Sequence, residues 1–191
     1  PYGLGQSVEF KKNFGPNLGN VFLDKLLENN EDIFTERLSP IYKLLQNLSR
    51  NNKLKNKDLI GFVGAPWTLL VYMINKVSPK TGLSKNFFNN ERLINSLLKI
   101  IDKFTKIHIK NQVNAGATLI QIFDSWAGLI TDNFDKFLYK PTLSIVEYTK
   151  QLGVPVVCFP RGISNYSEFC KIVNPDTVSY THLRAHETCV H

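Results

Sequence analysis

The sequence has no long apolar run and no recognisable export signal. No stretch of its 191 residues approaches the roughly 18 apolar residues that a membrane helix needs, so we expect no membrane partner. The first residues, Pro1 to Lys12, lack the charged segment followed by an apolar segment that is typical of a signal peptide. These two absences predict a protein that neither spans a membrane nor is exported.

Cysteine is scarce. Only Cys158, Cys170 and Cys189 occur, an odd number at wide spacing, which does not fit a disulfide framework and is typical of a reducing compartment. We therefore expect a cytoplasmic protein.

Acidic residues are also fewer than basic ones. The chain has 16 Asp and Glu against 23 Lys and Arg, a net charge of +7, which permits polyanionic or polycarboxylate partners without indicating one. Its 43% hydrophobic and 12% aromatic content excludes a disordered or fibrous chain and suffices for a buried core. The length predicts one large domain or one and a fraction.

Hydrophobic spacing predicts alternating strands and helices. Val8 and Phe10 alternate with polar residues before a turn at Gly15, which predicts an N-terminal β-hairpin. Three compact apolar runs predict strands at 59–64, 117–123 and 154–159. Helical spacing predicts helices at 20–28, 35–48, 69–74, 90–115, 132–152 and 164–172. Thr35 is the expected N-cap of the second helix.

Almost wholly apolar strands that alternate with long helices are typical of parallel strands covered by helices. The predicted fold class is therefore α/β, either a barrel or an open sheet. Both architectures place function at the carboxyl ends of the strands, which here are residues 64–68, 123–128 and 159–162.

The most informative segment is GFVGAPWTLLVY, residues 61–72. Its glycines permit a sharp turn and a close approach to a ligand, and Pro66 can begin a helix without losing a needed donor. For Pro66 and Trp67 a packing role is favoured. Tyr72 follows Thr68 by four residues, on the helical face nearest the strand end, where its phenol can donate to a bound carboxylate.

This segment resembles the signature of the uroporphyrinogen decarboxylase family. The resemblance continues, in the same order, with AGATLIQIFDSWAG at 115–128 and VPVVCFPRG at 154–162, and GQSVEFKKNFGP at the start resembles the hairpin before the signature strand. Together these segments cover about residues 1–178.

The resemblance implies a (β/α)8 barrel, usually a homodimer, that removes CO2 from the four acetate side chains of uroporphyrinogen to give coproporphyrinogen. It implies no metal and no organic cofactor. Tyr72 matches the family's active-site tyrosine and is the predicted catalytic residue. Ser125 matches a substrate-contacting hydroxyl, and Phe62 and Phe123 match the aromatic wall beside the macrocycle.

The family's arginine-rich N-terminal segment, central aspartate and C-terminal active-site histidine have no counterpart in this chain. We therefore expect an incomplete barrel domain over residues 1–178, with about three barrel strands and the hairpin. This fragment is expected to be inactive and poorly stable. Residues 179–191 are interpreted as a non-native tail that resembles translated adapter sequence.

Some residues carry two interpretations. His182, His186, Cys189 and His191 have spacing that superficially suits zinc, although the tail interpretation is favoured and no metal site is predicted. Lysines 99, 103, 106 and 110 share one helical face; they could meet phosphates, but a solvated face is favoured.

Arg161 and Asp124 are secondary site candidates. Arg161 could pair with a substrate carboxylate or form a structural ion pair. Asp124 could act as an acid, but a carboxylate at a strand end more often caps a helix or orients its neighbours. His108 and Cys158 are expected to be packing residues, His108 alternatively lying at the surface.

Two rival functions remain open at this point. One is a corrinoid methyltransferase of the same superfamily, which would need a zinc site beyond these residues. The other is a non-catalytic basic module that binds nucleic acid, which would bind with a steep salt dependence. The favoured interpretation has uroporphyrinogen as its partner and no nucleic acid.

Overall fold

The computed structural model describes residues 1–11 and 15–179, which contain six strands and six α-helices. The strands are β1 (Val8–Lys11), β2 (Gly15–Leu18), β3 (Ile60–Gly64), β4 (Leu119–Asp124), β5 (Val156–Pro160) and β6 (Thr177–Val178). The helices are α1 (Leu23–Leu27), α2 (Glu31–Ser49), α3 (Pro66–Asn75), α4 (Glu91–Asn114), α5 (Lys140–Gln151) and α6 (Tyr166–Val173).

The predicted N-terminal hairpin is present and is fastened to α3. Strands β1 and β2 pair antiparallel. The Gln6 side-chain amide donates to the carbonyl oxygens of Gly19 at 2.9 Å and Met73 at 3.1 Å, and the Leu18 N–H donates to the Lys76 carbonyl at 2.7 Å. These bonds hold the hairpin beside the helix that carries Tyr72.

The other four strands form one parallel sheet in the order β3-β4-β5-β6. This confirms the α/β class and the alternation of parallel strands with helices, and the described residues form an open part of a barrel. The expected count of about three strands was one too low. β6 has only two residues, with Val178 opposite Cys158, so it is too short to show a period in the sequence.

The two faces of this sheet differ sharply in exposure. On one face Val63, Ile122 and Cys158 are 4% exposed or less beneath the helices. On the other face Phe62 is 63% exposed and Ile60 is 49% exposed. Because side chains alternate along a strand, this uncovered face corresponds to the inward face of a closed barrel.

The structure corrects the predicted start of α2. The helix begins at Glu31, and its N-cap is Asn30, whose side chain accepts from the Ile33 N–H at 2.9 Å; Thr35 lies inside the helix. Asparagine is as good an N-cap as threonine, and Glu31 and Asp32 favourably occupy the first turn. The apolar spacing missed this turn because it is polar.

Other helix boundaries also differ from the prediction. Helix α3 begins at Pro66, three residues earlier than expected, which is the first-turn position that proline favours. The long helix expected at 132–152 begins with a π-helical turn, Asp135–Tyr139, before α5. Pro141 cannot donate to the carbonyl four residues earlier, which accounts for the irregular start.

The structure bears on the predictions about membrane helices and cysteines. Within residues 1–11 and 15–179 no helix is long and apolar enough to cross a membrane. Cys158 is a buried free thiol, as expected of a packing residue, but Cys170 is disulfide-bonded. A single bridged cysteine is not a disulfide framework, so it does not contradict that prediction, but it gives no support to the expected reducing compartment.

Candidate functional site at the strand ends

The carboxyl ends of β3, β4 and β5 lie level with one another. Gly64 is opposite Phe123, and Asp124 is opposite Pro160. The ladder continues into the loops, since the Arg161 N–H donates to the Asp124 carbonyl at 3.0 Å. The three segments predicted from the sequence therefore meet at one edge of the sheet.

An aromatic wall stands on the uncovered face near this edge. The ring centroid of Phe123 lies 6.3 Å from that of Phe62 and 6.0 Å from that of Phe159, both pairs being edge-to-face. The structure thus brings the two predicted aromatic residues together and adds Phe159, which sequence reasoning missed. Phe159 ends the predicted strand 154–159 just as Phe123 ends the predicted strand 117–123, and this shared position is the signal that could have identified it.

Tyr72 lies on α3, one turn after Thr68, and is half-buried. Its ring packs edge-on against that of Trp126, with centroids 6.2 Å apart. Among the described residues its hydroxyl has no hydrogen-bond partner. Tyr72 lines an apolar hollow of about 440 Å³ together with Pro1, Tyr2, Val8, Phe10, Pro16, Leu18 and Leu69.

Ser125 follows β4 directly and is half-buried. Its hydroxyl has no hydrogen-bond partner within residues 1–11 and 15–179, so it keeps its full capacity for a ligand. Ser125 does not line the hollow that Tyr72 lines. Trp126, which is bonded to Ser125 and packs on Tyr72, is the link between the two.

Arg161 is exposed in the loop after β5. Its guanidinium forms no ion pair with the acidic residues of the described part of the chain. Of the two roles considered from the sequence, the structural ion pair is therefore not observed. An unpaired guanidinium at this edge can bind a carboxylate through two parallel hydrogen bonds.

Asp124 is 3% exposed and points away from the aromatic wall, into the helix layer. Its Oδ1 accepts from the Thr68 hydroxyl at 2.6 Å. The backbone N–H groups of Thr68 and Trp126 also donate to the carboxyl group of Asp124. Its Oδ2 is buried without a partner. Burial raises the pKa of this carboxyl to about 7, with the hydrogen bonds acting in the opposite direction.

The loops after β4 and β5 touch through two glycines. A Cβ atom on Gly128 would lie 2.7 Å from the carbonyl oxygen and 3.1 Å from the Cα of Gly162. The Gly128 N–H also donates to the Arg161 carbonyl at 3.0 Å. Backbone therefore packs directly on backbone at this point, which only glycine permits.

We expect Gly128→Ala to lower the free energy of unfolding by about 1–3 kcal/mol, because the new methyl group meets rigid backbone. Gly64→Ala is the matched control, since the nearest atoms there belong to the movable side chain of Leu69. Urea denaturation of both variants measures the difference. Equal losses in the two variants would contradict the close-packing argument.

His108 lines a second apolar hollow of about 250 Å³, which also includes Phe34, Phe104 and Phe62 and shares Leu69 with the hollow that Tyr72 lines. Its Nδ1 lies 2.9 Å from the Tyr42 hydroxyl. Burial, and then the nearby N-terminal ammonium, lower the pKa of His108 to about 4. His108 is therefore a neutral packing residue near pH 7, one of the two roles expected.

Two of the four lysines on one face of α4 have contacts within the described residues. Lys106 is paired with Asp102 at 2.8 Å and bonded to Ser144, and Lys103 lies over the Phe104 ring. Residues 1–11 and 15–179 contain no group of three His, Cys, Asp or Glu side chains placed to hold a metal ion. The histidines of the predicted tail lie outside the described residues.

The family comparison supplies the decisive observation. The family model described as uroporphyrinogen decarboxylase (URO-D) matches residues 1–186. The chain belongs to the uroporphyrinogen decarboxylase family. This confirms the resemblance inferred from the three motifs.

Curated relatives within the family agree. The uroporphyrinogen decarboxylase of Rickettsia bellii is 34% identical over 185 residues, covering 94% of this chain and 54% of the relative. That of Campylobacter jejuni is 35% identical over 176 residues, covering 87% and 51%. The chain thus spans about half the length of the uroporphyrinogen decarboxylases it matches.

A solved structure supports the fold. A methyltransferase from Methanosarcina mazei superposes with a TM-score of 0.61 at 17% identity, covering 88% of this chain and 49% of that one. At this identity the similarity establishes the fold alone. It therefore does not bear on a methyltransferase function.

Proposed function

We propose that this chain forms one wall of a uroporphyrinogen decarboxylase site that removes the four acetate carboxylates of uroporphyrinogen to give coproporphyrinogen. The proposal depends on one observation in a member of this family. Among the described residues the Tyr72 phenol, the Ser125 hydroxyl and the Arg161 guanidinium have no polar protein partner, and the last two lie in the loops directly after the strands that carry Phe123 and Phe159.

Different side chains bind different parts of the substrate. Phe62 and Phe123 offer edge and face surfaces against which a flat macrocycle can pack. Tyr72 and Ser125 donate hydrogen bonds to its carboxylates, and Arg161 adds charge. The net charge of +7 favours the approach of a substrate that carries many carboxylates.

The reaction needs little from the protein beyond binding and charge stabilisation. Protonation of a pyrrole carbon makes the ring an electron sink, the carboxylate leaves as CO2, and the electron pair of the broken bond enters the ring. A second proton then converts the remaining methylene to a methyl group as the ring proton departs. No metal or organic cofactor is required by this scheme, and the proton donor is not assigned to any described residue.

Three further features belong to the same proposal. The complete enzyme is a homodimer, it works in the cytoplasm, and residues 1–178 alone are inactive because they form only part of the barrel wall. The observation that supports the inactivity is the exposed inward face of the sheet, where Phe62 is 63% exposed.

The test compares two polypeptides, the 191-residue chain and the full-length product of the reading frame that encodes it. Each is incubated with uroporphyrinogen without oxygen, with and without a metal chelator, and the oxidised porphyrins are separated by their number of carboxylates. We expect the full-length product to form coproporphyrinogen equally well with the chelator present, and the 191-residue chain to form none.

The outcomes separate the parts of the proposal. If the full-length product leaves all acetates in place, the proposed function is wrong. Turnover by the 191-residue chain would overturn only its inactivity, and inhibition by the chelator would overturn only the cofactor-free scheme.

A further inference from the structure

Asp124 and Thr68 form a buried pair that joins separate segments of the site. The Thr68 hydroxyl donates to Asp124 at 2.6 Å and accepts from the Trp126 N–H at 3.2 Å. The N–H groups of Thr68 and Trp126 also donate to the Asp124 carboxylate. One carboxylate therefore ties the start of α3 to the loop after β4.

The pair also replaces a missing helix cap. The N-cap residue of α3, Ala65, has no side chain that can accept a hydrogen bond, although the first backbone N–H groups of a helix need acceptors. Asp124 supplies one from the neighbouring strand by accepting from the Thr68 N–H. The position of α3 thus depends on the end of β4 and not on its own sequence alone.

Both candidate substrate contacts lie next to this pair. Tyr72 is one helical turn after Thr68, and Ser125 is the residue between Asp124 and Trp126. A third contact reinforces the arrangement, because the Trp67 indole N–H donates to the Trp126 carbonyl at 2.9 Å. A shift of the loop relative to α3 would therefore change the separation of the phenol and the hydroxyl.

We propose that Asp124 and Thr68 are positioning residues that set the Tyr72 phenol and the Ser125 hydroxyl at the separation the substrate requires. The inference rests on the proposed function for its effect on turnover. Asp124 does not contact substrate, because it is 3% exposed and faces the helix layer. Its directional hydrogen bonds fix both segments in a way that an apolar contact, which is non-directional, would not.

The test removes the Thr68 hydroxyl in one variant and keeps it in another. Thr68→Val keeps the shape of the side chain but loses the hydroxyl, whereas Thr68→Ser keeps the hydroxyl. The matched control is Thr149→Val, because Thr149 is also buried but its hydroxyl donates only within α5, to the Ile145 carbonyl at 2.7 Å. All three variants are made in the full-length product.

Two measurements are made on each variant, turnover of uroporphyrinogen and hydrogen exchange of the Trp126 backbone amide. Since small misplacements of reacting groups are costly to rate, we expect Thr68→Val to lower kcat by about tenfold or more, with a smaller change in KM. Trp126 amide exchange should accelerate in parallel. In Thr68→Ser both kcat and the Trp126 exchange rate should stay within about threefold of the unmodified protein, because serine keeps the hydroxyl. Thr149→Val should change neither quantity.

Each outcome has a distinct meaning. Unchanged Trp126 exchange in Thr68→Val would overturn the positioning role whatever the activity. Accelerated Trp126 exchange with unchanged kcat in Thr68→Val would mean that the positioning role does not matter for turnover. An equal loss of kcat in Thr149→Val would mean the same. If the unmodified full-length product fails to decarboxylate uroporphyrinogen, the proposed function fails, while the exchange measurement still decides whether Asp124 and Thr68 hold the loop.

Discussion

Replacing Tyr72 by phenylalanine is expected to lower kcat/KM for uroporphyrinogen by about 10- to 100-fold in the full-length product, because a hydrogen bond to a charged group contributes about 1.5–3 kcal/mol. The variant loses only the hydroxyl, which has no partner among the described residues. The ring remains and keeps its edge-on contact with Trp126. Stability should therefore be unchanged while turnover falls.

Tyr148→Phe is the control for this substitution. Tyr148 is also half-buried, but it lies on α5 at the outer layer, where its ring is 6.0 Å from the Lys106 ammonium. Steady-state kinetics and thermal denaturation of both variants give the comparison. Unchanged kcat and KM in Tyr72→Phe would remove Tyr72 from the active site, and a loss of stability would mean that its hydroxyl has a structural role.

The parts of the fold that could be predicted from the sequence are those with a strong local period. Strands β3, β4 and β5 and helix α4 were all predicted, since each has a run of apolar residues with one clear spacing. The two-residue strand β6 was missed, and α2 was started too late. In both places the deciding interactions are a pairing with β5 and a side-chain cap, which leave no apolar period.

The site was predictable only where its residues adjoin a motif. Tyr72, Ser125 and the two aromatic residues were identified because they lie inside segments that resemble a family. The structure places Phe62 and Phe123 together, whereas Ser125 reaches Tyr72 only through Trp126, so their common contact with substrate stays a prediction.

The buried hydrogen-bond network was not predictable in the same way. Thr68 and Asp124 are 56 residues apart in sequence, and each has several ordinary roles when considered alone. Their contact follows from the parallel register of β3 and β4, which puts the start of α3 beside the last residue of β4. Residue types and spacing do not encode that register.

The largest pH effect on stability is expected from Asp124. Its pKa is raised from 3.8 to about 7 by burial, so between these values the folded chain holds a proton that the unfolded chain has released. The contribution of Asp124 to the free energy of unfolding is therefore fully present below about pH 4 and is lost as the pH rises to 7. The loss is about 1.4 kcal/mol per pH unit and about 4 kcal/mol in total.

Asp124→Asn removes this dependence because an amide does not titrate. We expect the free energy of unfolding of the variant, minus that of the unmodified chain, to rise by about 4 kcal/mol between pH 4 and pH 7 and then level off. Urea denaturation at a series of pH values measures this difference. A carboxyl-carbon NMR titration of Asp124 in the unmodified chain gives its pKa directly.

Other titrating groups do not change the difference in free energy of unfolding between Asp124→Asn and the unmodified chain. Burial lowers the pKa of His108 to about 4, so its contribution has the opposite sign and is lost as the pH falls from 6.5 to 4. It is present in both proteins and cancels in the difference. On the neighbouring strand, burial and then the charge of Asp124 raise the pKa of the Cys158 thiol, which stays neutral throughout.

The matched control is Asp132→Asn, the same chemical change at an exposed carboxyl. It should leave the pH dependence of stability close to that of the unmodified chain. A difference between Asp124→Asn and the unmodified chain that does not vary with pH would mean that Thr68 and the two backbone N–H groups hold Asp124 ionised in the folded state down to acidic pH. In that case the hydrogen bonds, and not burial, would dominate its pKa, and Asp124 would bind the loop after β4 as a full negative charge.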